Sequence, residues 1–120
     1  MSDLFEPAQI GPMTIRNHFV RSATWEAMAA PDGAVTPRLV DLVAALARGG
    51  VGLIISSHAF VGPEGQAGPG QIGIYKDDLV SGLSRMAAAA HDHGAKILLQ
   101  LAHAGYFAPQ RLTGTPPVAV

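Results

Sequence analysis

The sequence predicts an α/β fold, on the alternation of three short apolar or β-rich runs with two segments of helical periodicity. The runs begin near residues 18, 51 and 96, and each ends in small or polar residues. Apolar runs of this length read as buried parallel strands, and α/β folds place their ligand sites at the carboxyl ends of such strands. The order strand, helix, strand, helix, strand gives two right-handed βαβ units. A parallel sheet of three strands leaves both outer edges bare. A (β/α)8 barrel takes about 250 residues, so the expectation is that this chain of 120 residues is the amino-terminal portion of such a barrel. About three of its eight strands would be present, as one incomplete domain spanning residues 1–120.

Each element has a local reason. Residues 4–15 carry scattered apolar side chains around Pro7 and Gly11-Pro12, which predicts two short extended pieces joined by a turn, a hairpin. Residues 18–23 form the first core strand. Pro31-Asp32-Gly33 marks a turn, and Thr36-Pro37 starts a helix: the hydroxyl caps free N–H groups while proline suits the first helical position. Leu39, Val43 and Leu46 then share one face as far as Arg48, and Gly49-Gly50 supplies the left-handed conformation that ends a helix. The second strand covers residues 51–56. The Gly- and Pro-rich stretch to Asp77 is longer than a structureless loop normally is, and Ile72, Ile74 and Tyr75 predict that it packs. Asp77 or Asp78 is expected to cap a second helix, with Leu79, Leu83, Met86 and Ala90 inward and Gly94 at its end. The third strand follows from Lys96, and no clear helix is expected after Gly105.

Composition narrows the function classes. The charged fraction is 14%, against about 25% in typical soluble domains, so part of the surface expects a cover. A net charge of −1 without a basic cluster argues against a nucleic-acid partner, and no apolar run approaches membrane-spanning length. There is no cysteine, hence no disulfide and no thiolate chemistry. The amino terminus shows no basic and apolar leader, which leads to a cytoplasmic expectation. Bare strand edges lead to an expectation of self-association, as a homo-oligomer or a non-catalytic half-barrel module.

The informative stretch is Lys96-Ile-Leu-Leu-Gln-Leu-Ala-His-Ala-Gly105. A glutamine at the carboxyl end of a strand can donate and accept from one side chain, which suits a ligand edge carrying a carbonyl beside an N–H, as the flavin pyrimidine does. The alternative is a glutamine that ties down a neighbouring loop. Other chemistry is poorly supported. His91 and His93 are two apart on a helix and point in different directions, so no metal site is expected. The glycines lack the Lys-Ser or Lys-Thr ending of a phosphate loop, and Lys96 begins its strand, where a Schiff-base lysine would not sit.

Leu4-Phe5-Glu-Pro7, Asn17-His-Phe-Val-Arg-Ser22, Thr36-Pro37, Gly52-Leu-Ile-Ile55, Gly73-Ile-Tyr75 and Gln100-Leu-Ala-His-Ala-Gly105, in that order, resemble the amino-terminal part of the old yellow enzyme family. The resemblance implies a (β/α)8 barrel closed below by a hairpin, with FMN across the carboxyl ends of the strands. It implies NAD(P)H as reductant and a small α,β-unsaturated molecule as substrate, with hydride passing through the flavin. It also implies that Ser22, Ala23, Thr24 and Trp25 lie along the flavin, His58 meets it at the end of the second strand, and Gln100 bonds its pyrimidine end. Trp25 replaces the Cys or Thr of many relatives, so its indole either donates a hydrogen bond or walls the pocket, the wall being favoured. Ala27 stands where some relatives place a substrate-contacting tyrosine, and Tyr106 where they carry arginine. His103 either orients its loop or touches a ligand. No catalytic residue is assigned within these 120 residues: the resemblance implies that the substrate-gripping pair, the proton donor and the phosphate anchor lie on later strands, so the chain alone is expected to be inactive.

Overall fold

The chain begins by pairing with itself. In the computed structural model, which describes residues 2–119, Ala8–Ile10 (β1) and Met13–Ile15 (β2) form an antiparallel hairpin turned at Gly11, whose φ of +57° suits glycine. The hairpin expectation is met. A second sheet has Leu53–Phe60 (β4) at its centre, parallel to Val20–Arg21 (β3), Ile72–Gly73 (β5) and Lys96–Ala102 (β6). β6 occupies one edge of β4 along most of its length. β3 and β5 share the other edge, β3 against its start and β5 against its end.

Helices Pro37–Arg48 (α1) and Val80–His91 (α2) pack on each other and cover one face of this sheet. The Thr36 hydroxyl accepts from the Leu39 N–H and itself donates to the Met28 carbonyl at 2.6 Å, so the cap also fixes the chain that precedes it. Gly50, at φ +101°, carries the left-handed turn beyond the helix. Val35, Leu39, Val43, Ala47, Ile54, Ala59, Ile72, Met86 and Ala90 form the core between helices and sheet. Full burial of each Leu, Ile, Val or Met contributes about 1.5–3 kcal/mol.

The structure departs from the sequence expectations at several places. The first strand is only Val20–Arg21, not 18–23, and Ile72–Gly73 adds a fourth strand to the sheet from within the stretch read as loop. Neither Asp77 nor Asp78 caps α2; both are exposed on a tight turn over Asp77–Leu79 that feeds the helix, whose capping position is Leu79. A four-residue helix, Gln110–Thr113 (α3), stands beyond Gly105, where no helix was expected. β4 continues four residues past Ser56, because Ser56 and Ser57 are buried within the strand and do not mark its end.

Those serines form a β-bulge. Ile55 pairs with Leu98 and His58 with Gln100, so β4 takes three steps where β6 takes two. Side chains alternate faces along a strand. The extra residue therefore keeps His58 on the same face as Ile55, Leu98 and Gln100. The interrupted ladder is repaired by Ser56, whose hydroxyl accepts the Gln100 backbone N–H at 3.1 Å and donates to the Ser57 carbonyl at 2.7 Å. Ser56→Ala should cost about 1–3 kcal/mol by stranding a buried donor. It should also speed amide exchange at Gln100; a Gln100 amide as protected as in the parent chain would show that the ladder closes without the hydroxyl.

The amino-terminal ends of the strands are tied by polar side chains. Arg16 donates to the carbonyls of Ala47, Val51 and His93, joining the ends of α1 and α2 to the start of β4. Asn17 donates to the Gly50 carbonyl at 2.7 Å and accepts from the Phe19 N–H. This end serves stability. None of the helices among the described residues is long and apolar enough to cross a membrane.

Candidate functional site

Because β3, β4 and β6 run parallel, their carboxyl ends fall on one rim of the sheet, opposite the Arg16 cluster. The residues singled out by sequence lie on that rim. Ser22 is exposed and its carbonyl accepts from the Thr24 hydroxyl at 3.1 Å; Ala23 is half-buried and Thr24 exposed. The Trp25 indole meets the His58 imidazole edge-on, with ring centroids 5.5 Å apart and an interplanar angle of 80°. His58 pairs in register with Gln100. Trp25, His58 and Gln100 thus follow one another across the rim, from the strand containing residue 21 to β6.

Gln100 does not serve as the loop tie that its sequence position also allowed. Its side chain is exposed and makes no hydrogen bond among the described residues, while its backbone N–H donates to Ser56. It ties down no loop. A free amide on a strand end, donor and acceptor both available, fits the edge of a bound heterocycle. Trp25 is 46% exposed, its indole N–H likewise has no partner among the described residues, and its ring lies directly on Gly68. That placement makes the ring a wall between the rim and the loop after β4.

Two features escaped the sequence reading. The first is a buried network beneath Trp25: Arg21 pairs with Glu26 at 3.3 Å, the Ser57 hydroxyl donates to the other Glu26 oxygen at 2.8 Å, and Arg21 also donates to the Ile55 carbonyl at 3.2 Å. Arg21 and Glu26 side chains are only 18% and 8% exposed. The network clamps the chain on either side of residues 22–25 to the bulge of β4. Second, Ala27 has φ +52°, a left-handed conformation that costs a non-glycine residue about 1–2 kcal/mol. Gly70 holds it there, since a Cβ at that position would come 2.6 Å from the Ala27 carbonyl oxygen, and the Gly70 carbonyl accepts from the Ala29 N–H. Strain of this kind concentrates at functional sites. His103, for which the sequence left loop orientation and ligand contact open, does hold its loop: Nδ1 accepts from the Gly105 N–H at 3.0 Å, and Nε2 lies 3.4 Å from Glu64. Hydrogen bonds from the Glu64 backbone and from His103 hold the Glu64 carboxyl below its ordinary range.

The family model for NADH:flavin oxidoreductases and NADH oxidases matches residues 3–118. The chain belongs to the NADH:flavin oxidoreductase / NADH oxidase family. A NADH oxidase from Thermoanaerobacter brockii is 40% identical over 98% of this chain, which spans 18% of that protein. An NADPH dehydrogenase from Halalkalibacterium halodurans is 37% identical over 85% of the chain, spanning 30% of that protein. The old yellow enzyme homologue from Zymomonas mobilis superposes with a TM-score of 0.90 at 32% identity, over 98% of this chain and 32% of its own. The chain therefore covers about a fifth to a third of these members of the NADH:flavin oxidoreductase family. FMN is that family's cofactor and NAD(P)H its reductant.

Proposed function

We propose that this chain builds one wall of the FMN site of an NAD(P)H-dependent oxidoreductase whose acceptor is an activated alkene. The observation that carries the reading is the unpartnered Gln100 amide, in one row with His58 and Trp25 at the carboxyl end of a parallel sheet. When bound, FMN supplies hydride transfer between reduced nicotinamide and acceptor; the protein supplies binding, orientation and electrostatics. Gln100 would donate and accept at the pyrimidine edge of the ring. Residues 22–24 would line it, and Trp25 and His58 would exclude water from one side, with Ala27 leaving room for substrate beside them.

In this reading residues 1–120 are the amino-terminal segment of a single (β/α)8 domain. The support is the outer edge of β6, unpaired among the described residues, with Leu98 and Leu101 at 46% and 63% exposed. Phosphate carries most of the charge of FMN and is held in many barrels after the seventh and eighth strands. The 120-residue chain by itself should therefore lose FMN on desalting and should not oxidise NADPH. Flavin absorbance of the purified chain tests this, and about one flavin per chain with turnover would overturn it. In the completed barrel, Gln100→Ala should weaken FMN binding by about 0.5–1.5 kcal/mol and shift its potential. Unchanged affinity and potential would remove Gln100 from the site.

A further inference from the structure

The bulge of β4 decides which side chain stands beside Gln100. Ile55 pairs with Leu98 and His58 with Gln100. In an unbroken ladder Ser57 would lie opposite Gln100, and His58 would turn to the face that the helices cover. The extra residue reverses this. An imidazole takes the rim position in place of a hydroxymethyl group, and Ser57 is buried with its hydroxyl on Glu26 at 2.8 Å.

A bulge leaves ladder groups unpaired, and here side chains take them up. Arg21 donates to the Ile55 carbonyl at 3.2 Å, Ser56 donates to the Ser57 carbonyl at 2.7 Å, and the same Ser56 hydroxyl accepts the Gln100 N–H at 3.1 Å. Ser56 is only 4% exposed. A distortion satisfied at each of these points is a built feature, and such bulges re-aim side chains beside active sites.

What is re-aimed is an imidazole with no hydrogen-bond partner among the described residues. His58 is half-buried and meets Trp25 edge-on, and the Gln100 amide beside it is equally free. A neutral imidazole carries one donor and one acceptor. Adjacent strands lie about 4.8 Å apart, so the two side chains present hydrogen-bonding groups one strand spacing apart on one face. The pyrimidine edge of a flavin runs carbonyl, N–H, carbonyl. One amide satisfies the N–H and one carbonyl, and leaves the other carbonyl without a donor.

We propose that His58 supplies that donor, and that Ser56 is the positioning residue that holds His58 and Gln100 in register. The inference rests on the flavin reading and goes beyond it: His58 sets the redox potential as well as excluding water. Reduction adds electron density to the conjugated carbonyls, so a donor there favours the reduced ring.

Flavin affinity, midpoint potential and thermal unfolding of the FMN-loaded, completed barrel are compared with those of His58→Phe, His58→Gln, Ser56→Ala and Ser56→Thr. His58→Phe keeps an aromatic ring for Trp25 but no donor. It should bind FMN about two- to tenfold more weakly, the size of one neutral hydrogen bond, and at a lower potential. His58→Gln should recover part of both. Ser56→Ala should lower the potential in the same direction, whereas Ser56→Thr, which keeps the hydroxyl, should not. If Ser56→Ala lowers the unfolding temperature and leaves the potential alone, the positioning role of Ser56 is overturned. Parental affinity and potential in loaded His58→Phe overturn the role of His58. A parent barrel that holds no FMN overturns the flavin reading and this inference with it, an outcome distinct from either of the others.

Discussion

Glu26→Ala should destabilise the fold by about 3 kcal/mol or more, the range seen when one partner of a buried ion pair is removed. The cause is what remains. Arg21, 18% exposed, would keep only the Ile55 and Thr24 carbonyls, and Ser57 would lose its acceptor inside the bulge. Glu26→Gln keeps an acceptor for Ser57 but not the charge, so it should cost less, about 1.5–3 kcal/mol for a hydrogen bond to an ionised partner. Removing both charges, as Arg21→Met with Glu26→Leu, should recover much of the loss, since a buried pair replaced by apolar groups is often close to neutral. Urea midpoints of the four chains measure this directly. A Glu26→Ala chain within 0.5 kcal/mol of the parent, the ordinary range of surface substitutions, would mean that the pair is solvated and clamps nothing. The Trp25–His58 contact supplies a second readout. Glu26 adjoins Trp25 in sequence, so the alanine variant should also alter indole emission, whereas the double apolar variant should restore it.

The elements whose signals are local were legible in advance. Thr36-Pro37, the Leu39–Val43 spacing and Gly50 define α1 within a single stretch of chain, and α1 spans Pro37–Arg48 as expected. The carboxyl-terminal rim was also legible, because most of the residues that follow the apolar runs, from Ser22 to Trp25 and from Gln100 to His103, do gather there. What escaped depends on partners distant in sequence. Ser56 and Ser57 look like a polar strand end until β6 lies alongside and a bulge needs its hydrogen bonds repaired. Glu26 follows Trp25 with no periodicity to mark it, and its partners come from residues 21 and 57, which only the fold brings together. Gln100 is the mixed case. Its residue type and place in the strand raised a ligand contact, but the choice against a loop tie needed the neighbouring side chains, none of which reaches it.

The loop after β4 was expected to pack, and the residue on which that packing turns is Gly33. Its φ is +87°, and a Cβ there would lie 2.6 Å from the Gly73 nitrogen and 2.8 Å from the Gly73 Cα. The same Gly73 N–H donates to the Gly33 carbonyl at 2.9 Å, so the two backbones are in contact at the start of β5. Around them Phe60 stacks on Tyr75 at 5.1 Å, and Asp32 pairs with Lys76 at 3.1 Å. Gly33→Ala meets two penalties. A left-handed non-glycine residue costs about 1–3 kcal/mol, and overpacking against an unyielding backbone about 1–3 more. The sum, about 2–6 kcal/mol, exceeds what the Asp32–Lys76 pair can return, since exposed pairs contribute about 0–1. The variant should relieve the clash by separating Gly33 from Gly73, which detaches β5 from β4 and frees the loop that Gly68 holds against Trp25. Amide exchange at Ile72 and Gly73 should then rise well before that of β6, whose pairing with β4 lies on the other edge. A Gly33→Ala chain with parental stability and parental protection at Gly73 would show that this approach is looser than the geometry describes, and that the loop does not depend on it.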